Sequence, residues 1–161
     1  MTTDTTTRTS GTDLRTMMGC WTTGVTVVTT RSDDGTPIGL VCNSFTSVSL
    51  DPPLISWCID NGSLAIDTWN TCPTFSVHVL AEADLDLVPR FAARGVDKFA
   101  GLDTHETVLG TPGITGVATR LDCRVWARYE GGDHVILVGE VLNHAHEGPF
   151  PPLTNHALRR G

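Results

Sequence analysis

"GLVCNSFTSVSLDPPL", residues 39–54, decides how the rest of the chain is read. It opens apolar and runs into Asn43-Ser44. It then places hydroxyls at Thr46, Ser47 and Ser49 while keeping Phe45, Val48 and Leu50. It stops at Asp51-Pro52-Pro53, and a second apolar run, "LISWCI", follows. A buried strand does not spend so many hydroxyls and an amide in so short a space, and a surface loop does not hold so many apolar side chains. Two readings fit. One is a Ser/Thr-rich edge strand closed by a turn at Asp51-Pro52. The other is a ligand cradle. If the backbone leaves strand geometry just after Cys42, N–H groups and short hydroxyls would serve the polar edge of a flat, electron-poor ring, and the apolar side chains would carry its face.

Outward from this stretch the chain reads as mostly short strands. "GVTVVTT" (24–30) is β-branched, and Asp34-Gly35 suits a tight hairpin turn into "IGLVC". "PLISWCI" (53–59) is nearly continuous in apolar residues, which predicts a strand buried on both faces. "GSLAIDTWNTC" (62–72) predicts a helix with Ser63 as N-cap, Leu64, Ile66 and Trp69 turned inward, and Pro73 as its stop. "TFSVHVL" is the next strand. Asp86 and Pro89 open a second helix that Gly95 closes. Residues 96–118 read as irregular. In "LDCRVWARYE" (121–130) Leu121, Cys123, Val125, Ala127 and Tyr129 alternate with Asp122, Arg124, Arg128 and Glu130, a strand with one wet face. Gly131-Gly132 turns the chain into "HVILVGEVL" (134–142). A short helix over 13–20 precedes the first strand. Six or seven strands with two helices predict a mainly β fold, a closed antiparallel barrel.

Composition bounds the function. The 161 residues favour one domain, 13–161, behind a Thr-rich leader, 1–12, expected to be disordered. Lysine and arginine number 11 against 18 acids, a net charge of −7, which disfavours nucleic acid and anionic membrane as partners. The hydrophobic fraction of 40% includes no run long enough for a membrane span and no apolar signal segment, so a soluble protein is expected. Cys20, Cys42, Cys58, Cys72 and Cys123 form no CxxC pair and read as free thiols in a reducing cytoplasm. His144 and His146 share a strand face but lack a third ligand, so no metal is expected. GxGxxG, the P-loop, GxSxG and HExxH are all missing.

Three blocks, "TTGVTVVTT…GLVCNSFTSVSLDPPLISWCID…S", "FSVHVLAE…FA…DKF" and "GGDHVILVGEV", resemble in that order the short-chain flavin reductases, from about residue 14 to about residue 143. The resemblance implies an antiparallel split β-barrel with a few short helices that forms a homodimer in the cytoplasm. It implies that NADH, or NADPH in its place, reduces FAD or FMN. The free reduced flavin would then pass to a partner flavin-dependent monooxygenase.

Carried over residue by residue, the resemblance implies that Thr23, Gly24 and Val25 lie near the flavin. Asn43, Ser44, Phe45, Thr46 and Ser47 line its ring and ribityl chain. Asp60, Asn61, Gly62 and Ser63 precede a helix and serve its phosphate, as helix N-termini do. Lys98 would close the site with a positive charge, and Phe99 beside it. His134 would sit by the nicotinamide as the catalytic residue, in a reaction whose main demand is positioning. The chain departs from the family at Val41, where threonine is frequent, and at the C-terminus "PLTNHALRRG", which lacks tyrosine. Arg159 and Arg160 offer charge for a 2′-phosphate. Three other readings stay open at this point. One is a flavoprotein that retains its flavin and reduces another acceptor. The others are an enzyme resembling pyridoxamine-phosphate oxidases and a non-catalytic flavin-binding barrel.

Overall fold

The computed structural model describes residues 9–158; Arg159 and Arg160 lie outside them, as does the leader up to residue 8. Helix α1 (Gly11–Met18) starts inside the expected leader. The Ser10 hydroxyl accepts the Asp13 N–H and the Asp13 carboxylate accepts the Ser10 N–H, a reciprocal cap that fixes the first turn.

The strands are β1 (Thr26–Arg31), β2 (Pro37–Cys42), β3 (Thr46–Leu50), β4 (Pro53–Asp60), β5 (Thr74–Val79), β6 (Thr104–Glu106), β7 (Pro112–Ile114), β8 (Thr119–Gly131) and β9 (His134–His146). Helices α2 (Ile66–Thr71), α3 (Leu87–Ala92) and α4 (Asn155–Leu158) are short. Seven strands form one sheet in the order β2-β1-β5-β8-β9-β4-β3, antiparallel throughout, and β6 pairs with β7 apart from it. The mainly β, antiparallel class is therefore as expected. The expected closure is not: the edge strands β2 and β3 share no ladder, and three residues, 43–45, link them. The sheet curls instead. Val28, Cys42, Trp57, Phe75, Cys123 and Leu137, from six different strands, meet in one core, where Trp57 packs edge-on against Trp69 of α2 at 4.9 Å between ring centres.

A second apolar cluster lies on the other face of β1 and β5. Val25, Val27, Leu80, Leu87, Phe91, Ile114 and Leu153 form it under α3, β7 and the C-terminal strap. The strands buried on both faces are thus β1 and β5, whereas β4 alternates: Ile55, Trp57 and Ile59 are buried, Leu54, Ser56 and Cys58 only partly. Threonines in β1 tolerate this because their hydroxyls give hydrogen bonds to backbone carbonyls, Thr26 to Cys42, Thr29 to Pro112 and Thr30 to Thr74.

The alternation expected along β8 breaks at the bulge between Val125 and Ala127, which sets Arg128 opposite Leu137 and Tyr129 opposite Ile136; the register shift between Asp122 and Cys123 has its extra residue, Leu142, on β9. Asp122 pairs with Ser76 of β5 on the face opposite Phe75 and Cys123, and it is fully buried there because the segment leading into β7 covers that face, Thr111 lying against the Ser76 hydroxyl. It is held by Arg120 at 2.8 Å, Ser76 at 2.7 Å and Asn143 at 2.8 Å. Burial pushes its pKa up, but these three donors outweigh burial and leave the carboxyl below its ordinary range. All five cysteines are free thiols.

Candidate functional site

The edge strand β2 borders a trough made of three cavities. One, about 600 Å3, lies between Pro37–Val41, the Asp60–Ala65 loop and the segment Phe91–Phe99. The second, about 310 Å3, is lined by Leu40–Ser44, Cys58–Asp60, Ser63 and His134. A third, about 660 Å3, is lined by Arg15, Met18, Trp21–Gly24, Asn43–Thr46 and Asn155. The first two share Leu40, Val41, Asp60 and Ser63; the last two share Asn43 and Ser44. The last two cavities therefore join at the β2–β3 link, the middle of the stretch from which the sequence was read, and the first joins the second at the end of β2 and the Asp60–Ser63 loop.

The stretch divides between an edge strand and a link that leaves strand geometry just after Cys42. Residues 46–50 are an edge strand, and the turn at Asp51-Pro52 is a cis peptide. Residues 43–45 leave the ladder, and none of the N–H groups of Asn43, Ser44 and Phe45 is given to a backbone carbonyl among the described residues. The Ser44 hydroxyl pins the link in place, accepting the Cys58 N–H at 2.8 Å and lying 3.2 Å from the Cys42 sulfur. The Thr23 hydroxyl is buried beside the third cavity without a hydrogen-bond partner.

At the other end the Asp60–Ser63 loop is a compact turn. Asp60 accepts the Gly62 N–H on its carboxylate at 2.7 Å and the Ser63 N–H on its carbonyl at 2.9 Å. The expected helix start is shifted: α2 begins at Ile66 behind Ala65, its N-terminus has no side-chain cap, and Ser63 is not its N-cap. With only six residues in α2, the anion-site argument from a helix terminus falls away, and Leu64 is exposed rather than packed inward. The other end of α2 is held by Arg128, which donates to the carbonyls of Trp69 at 3.0 Å and Cys72 at 2.5 Å.

The structure gathers most of the expected residues. Thr23, Gly24, Asn43, Ser44, Phe45, Thr46, Asp60, Gly62, Ser63, Lys98, Phe99 and His134 all line the trough. Val25, Asn61 and Ser47 do not line it. Val25 is core, its N–H given to the Leu153 carbonyl and its own carbonyl taking the Leu80 N–H. Asn61 is tied to the β8–β9 turn through Asp133 and Gly132. Lys98 is nearer a strut than a free charge. Its ammonium donates to the carbonyls of Gly39 at 2.9 Å and Phe91 at 2.7 Å, and burial, helped by nearby Arg94, lowers its pKa. Sequence reading missed Arg94, which lines the cavity beside α3 and reaches across it to the Gly62 carbonyl at 3.0 Å. The signal that could have found it is its place between α3 and Gly95, a glycine with φ of 70°. His134 pairs across the ladder with Asp60, and its Nδ1 lies 2.7 Å from the Asp133 carboxylate, which the contact holds below the ordinary carboxylate range.

A curled antiparallel sheet with a trough along one edge strand defines a cofactor-binding β domain. No cluster of three or more metal-ligating side chains occurs among the described residues. The chain belongs to the flavin reductase like domain family, which matches residues 18–160. It is 42% identical over 127 residues to the reductase subunit of a flavin-dependent monooxygenase from Rhodococcus jostii, covering 79% of this chain and 65% of that protein. It is 42% identical over 137 residues to an FMN reductase (NADH) from Agrobacterium fabrum, covering 85% of this chain and 78% of that one. The solved NADH:FAD oxidoreductase of Streptomyces globisporus superimposes with a TM-score of 0.83 at 36% identity, covering 89% of this chain and 86% of that chain. The chain thus spans just under two thirds of the Rhodococcus subunit and more of the other two. The residues along the trough fit a flavin: the unpaired N–H groups at 43–45, the orphaned Thr23 hydroxyl and the apolar strip of Leu40 and Val41 supply donors beside an apolar floor.

Proposed function

We propose that this protein is an NAD(P)H:flavin oxidoreductase that reduces FAD or FMN and releases the reduced flavin to a partner flavin-dependent monooxygenase. The observation that carries the reading is a run of three adjoining cavities, two of them meeting at Asn43 and Ser44 of the β2–β3 link, with His134 beside the middle one. The link and Thr23 would receive the polar edge of the ring, and Asp60–Ser63 the ribityl-phosphate end. His134, its Nδ1 turned to Asp133, would keep Nε2 for the nicotinamide. The bound flavin supplies the hydride-accepting chemistry; the chain's own task is to align the two rings and exclude water. A trough that opens along an edge strand also suits a flavin that leaves after reduction rather than one kept as a prosthetic group.

The curled sheet is read as a split barrel that pairs into a homodimer, working in the cytoplasm. No helix among the described residues is long and apolar enough to cross a membrane. The test is steady-state oxidation of NADH and of NADPH with no flavin, with FMN and with FAD. Flavin-dependent consumption of nicotinamide is expected. Its absence in folded protein would remove the reading, and consumption without added flavin would favour a retained cofactor.

A further inference from the structure

One wall of the third cavity has no anchor of its own. Trp21–Gly24 form it between α1 and β1, before the sheet begins at Thr26. Helix α1 does not hold them, because none of its residues is buried and Leu14, Met17 and Met18 are each about half exposed. An eight-residue helix without a packed face is marginal by itself. The core takes over only at Val25.

What holds this wall comes from the far end of the chain. Leu153, 2% exposed, wedges between the start of β1 and the segment after β5. Its N–H donates to the Leu80 carbonyl at 2.9 Å, and its carbonyl accepts the Val25 N–H at 3.1 Å. That fixes the register of the next two residues. Thr154 bridges to Gly24, and its hydroxyl accepts the Ala157 N–H at 3.3 Å, which turns the chain into α4. Asn155 then engages both backbone groups of Thr23. Its N–H donates to the Thr23 carbonyl at 3.0 Å, and its Oδ1 accepts the Thr23 N–H at 3.1 Å. Its Nδ2 donates to the Trp21 carbonyl at 3.4 Å. Among the described residues, no element other than this strap hydrogen-bonds to Thr22, Thr23 or Gly24.

With its N–H and carbonyl both taken, Thr23 has one polar group left, the hydroxyl buried at the cavity without a partner. A buried hydroxyl is costly while unpaired, and a ligand that offers it a hydrogen bond recovers that cost. Resting on the flavin reductase reading, we propose that Asn155 is a positioning residue of the reaction: reaching back across 132 residues of chain, it fixes Thr23 so that this hydroxyl meets the polar edge of the flavin. In Asn155→Ala the backbone N–H still reaches Thr23, so the strap stays docked. The Thr23 N–H loses its acceptor, and the residue is free to turn.

The test is a double-mutant cycle read by binding of FMN and of FAD without NADH. Asn155→Ala and Thr23→Val, each checked by thermal melting, should each weaken flavin binding by about three- to tenfold, the size of one hydrogen bond. Combined, they should weaken it no more than Thr23→Val alone, because Asn155 acts through the Thr23 hydroxyl. Independent, multiplying effects overturn the proposal. Asn155→Leu keeps the bulk of the side chain without its acceptor and should behave as Asn155→Ala; restored affinity would make the residue a space-filler and overturn it. The KM for NADH at saturating flavin should stay within about twofold. A rise in that KM with flavin affinity unchanged gives Thr23 to the nicotinamide and also overturns the proposal. So does a lowered melting temperature with flavin affinity intact, which leaves Asn155 a staple of the fold. A wild-type protein that binds neither flavin removes the flavin reading itself, and this proposal with it.

Discussion

His134 and His78 show how far position decides what one side chain does. His134 is part-exposed at the mouth of a cavity. His134→Ala should raise the KM for the nicotinamide substrate or lower turnover by up to about tenfold, the size of one hydrogen bond, while flavin affinity stays within about twofold. Loss of flavin affinity with nucleotide kinetics intact would put this imidazole on the wrong ligand. His78 is fully buried under β7. Its Nδ1–H donates to the Val27 carbonyl at 3.2 Å and its Nε2 accepts the Ile114 N–H at 3.0 Å, so only the neutral ring fits. Burial is the chief influence and lowers its pKa from the ordinary 6.5 to about 4, against the Val27 carbonyl; Arg120 and His105 act with burial, Asp122 against it. The unfolded chain binds a proton once the pH falls below 6.5, and the folded chain does not until about 4. Stability should therefore be lost as the pH falls through that window, by about 3 kcal/mol, and level off below it. Urea denaturation at pH 7 and pH 4.5 measures the loss. His78→Gln should remove this part of the slope; an unchanged slope would give the acid sensitivity to other groups.

At the scale of elements, the packing of α3 against β2 builds the wall of the large cavity. A Cβ on Gly39 would sit 2.5 Å from Phe91 Cε1 and 3.2 Å from Phe99 Cζ. Phe91 is almost fully buried and stacks edge-on with Phe99, so neither ring can swing clear without opening the second core cluster. Gly39→Ala should cost about 1–3 kcal/mol in denaturation free energy and weaken flavin binding with it; a neutral effect would mean α3 floats on the strand. Gly39 illustrates what sequence can and cannot supply. Strand positions were legible because period-two burial and turn glycines are local signals, and the β2–β3 link stood out because its residues fit neither a buried strand nor a loop. The bulge in β8 was not legible, since an extra residue changes the side chain's face without changing composition, and it put Arg128 rather than Tyr129 on the core side; the burial of Asp122 was hidden too, because it depends on the segment before β7 covering its face. The two-sided burial of β1 was hidden by threonines that satisfy themselves on carbonyls. In the trough, the residues of the link and of the Asp60–Ser63 loop could be named from their sequence, but the swap of roles between Lys98 and Arg94 could not. It depends on which side chain finds the Gly39 and Phe91 carbonyls once α3 has docked.

For the whole molecule, the ladder register sets one more expectation. Inward residues of β4 and β9, Ile55, Trp57 and Leu137, face the core, so the pleat sends Leu54, Cys58, Ile136 and, across from it on β8, Tyr129 to the opposite face. Trp126, at the bulge, and Tyr129 are more than half exposed, and Val48, at the bulge of the neighbouring edge strand, is exposed as well. A chain of net charge −7 has acidic side chains enough to cover a face meant for water, yet this half of the sheet carries apolar and aromatic ones. A homodimer formed through it would bury them, and it would also cover the unpaired edge of β3. The protein should then sediment at about twice its 17.3 kDa chain mass. Tyr129→Asp combined with Trp126→Asp should shift it toward the monomer, since each places a charge in an apolar contact that has no partner for it. Both positions are exposed in the single chain, so folding should survive, and far-UV circular dichroism checks that it does. A wild-type protein that sediments as a monomer at micromolar concentration would refute the dimer. A dimer indifferent to both substitutions would move the interface to another face.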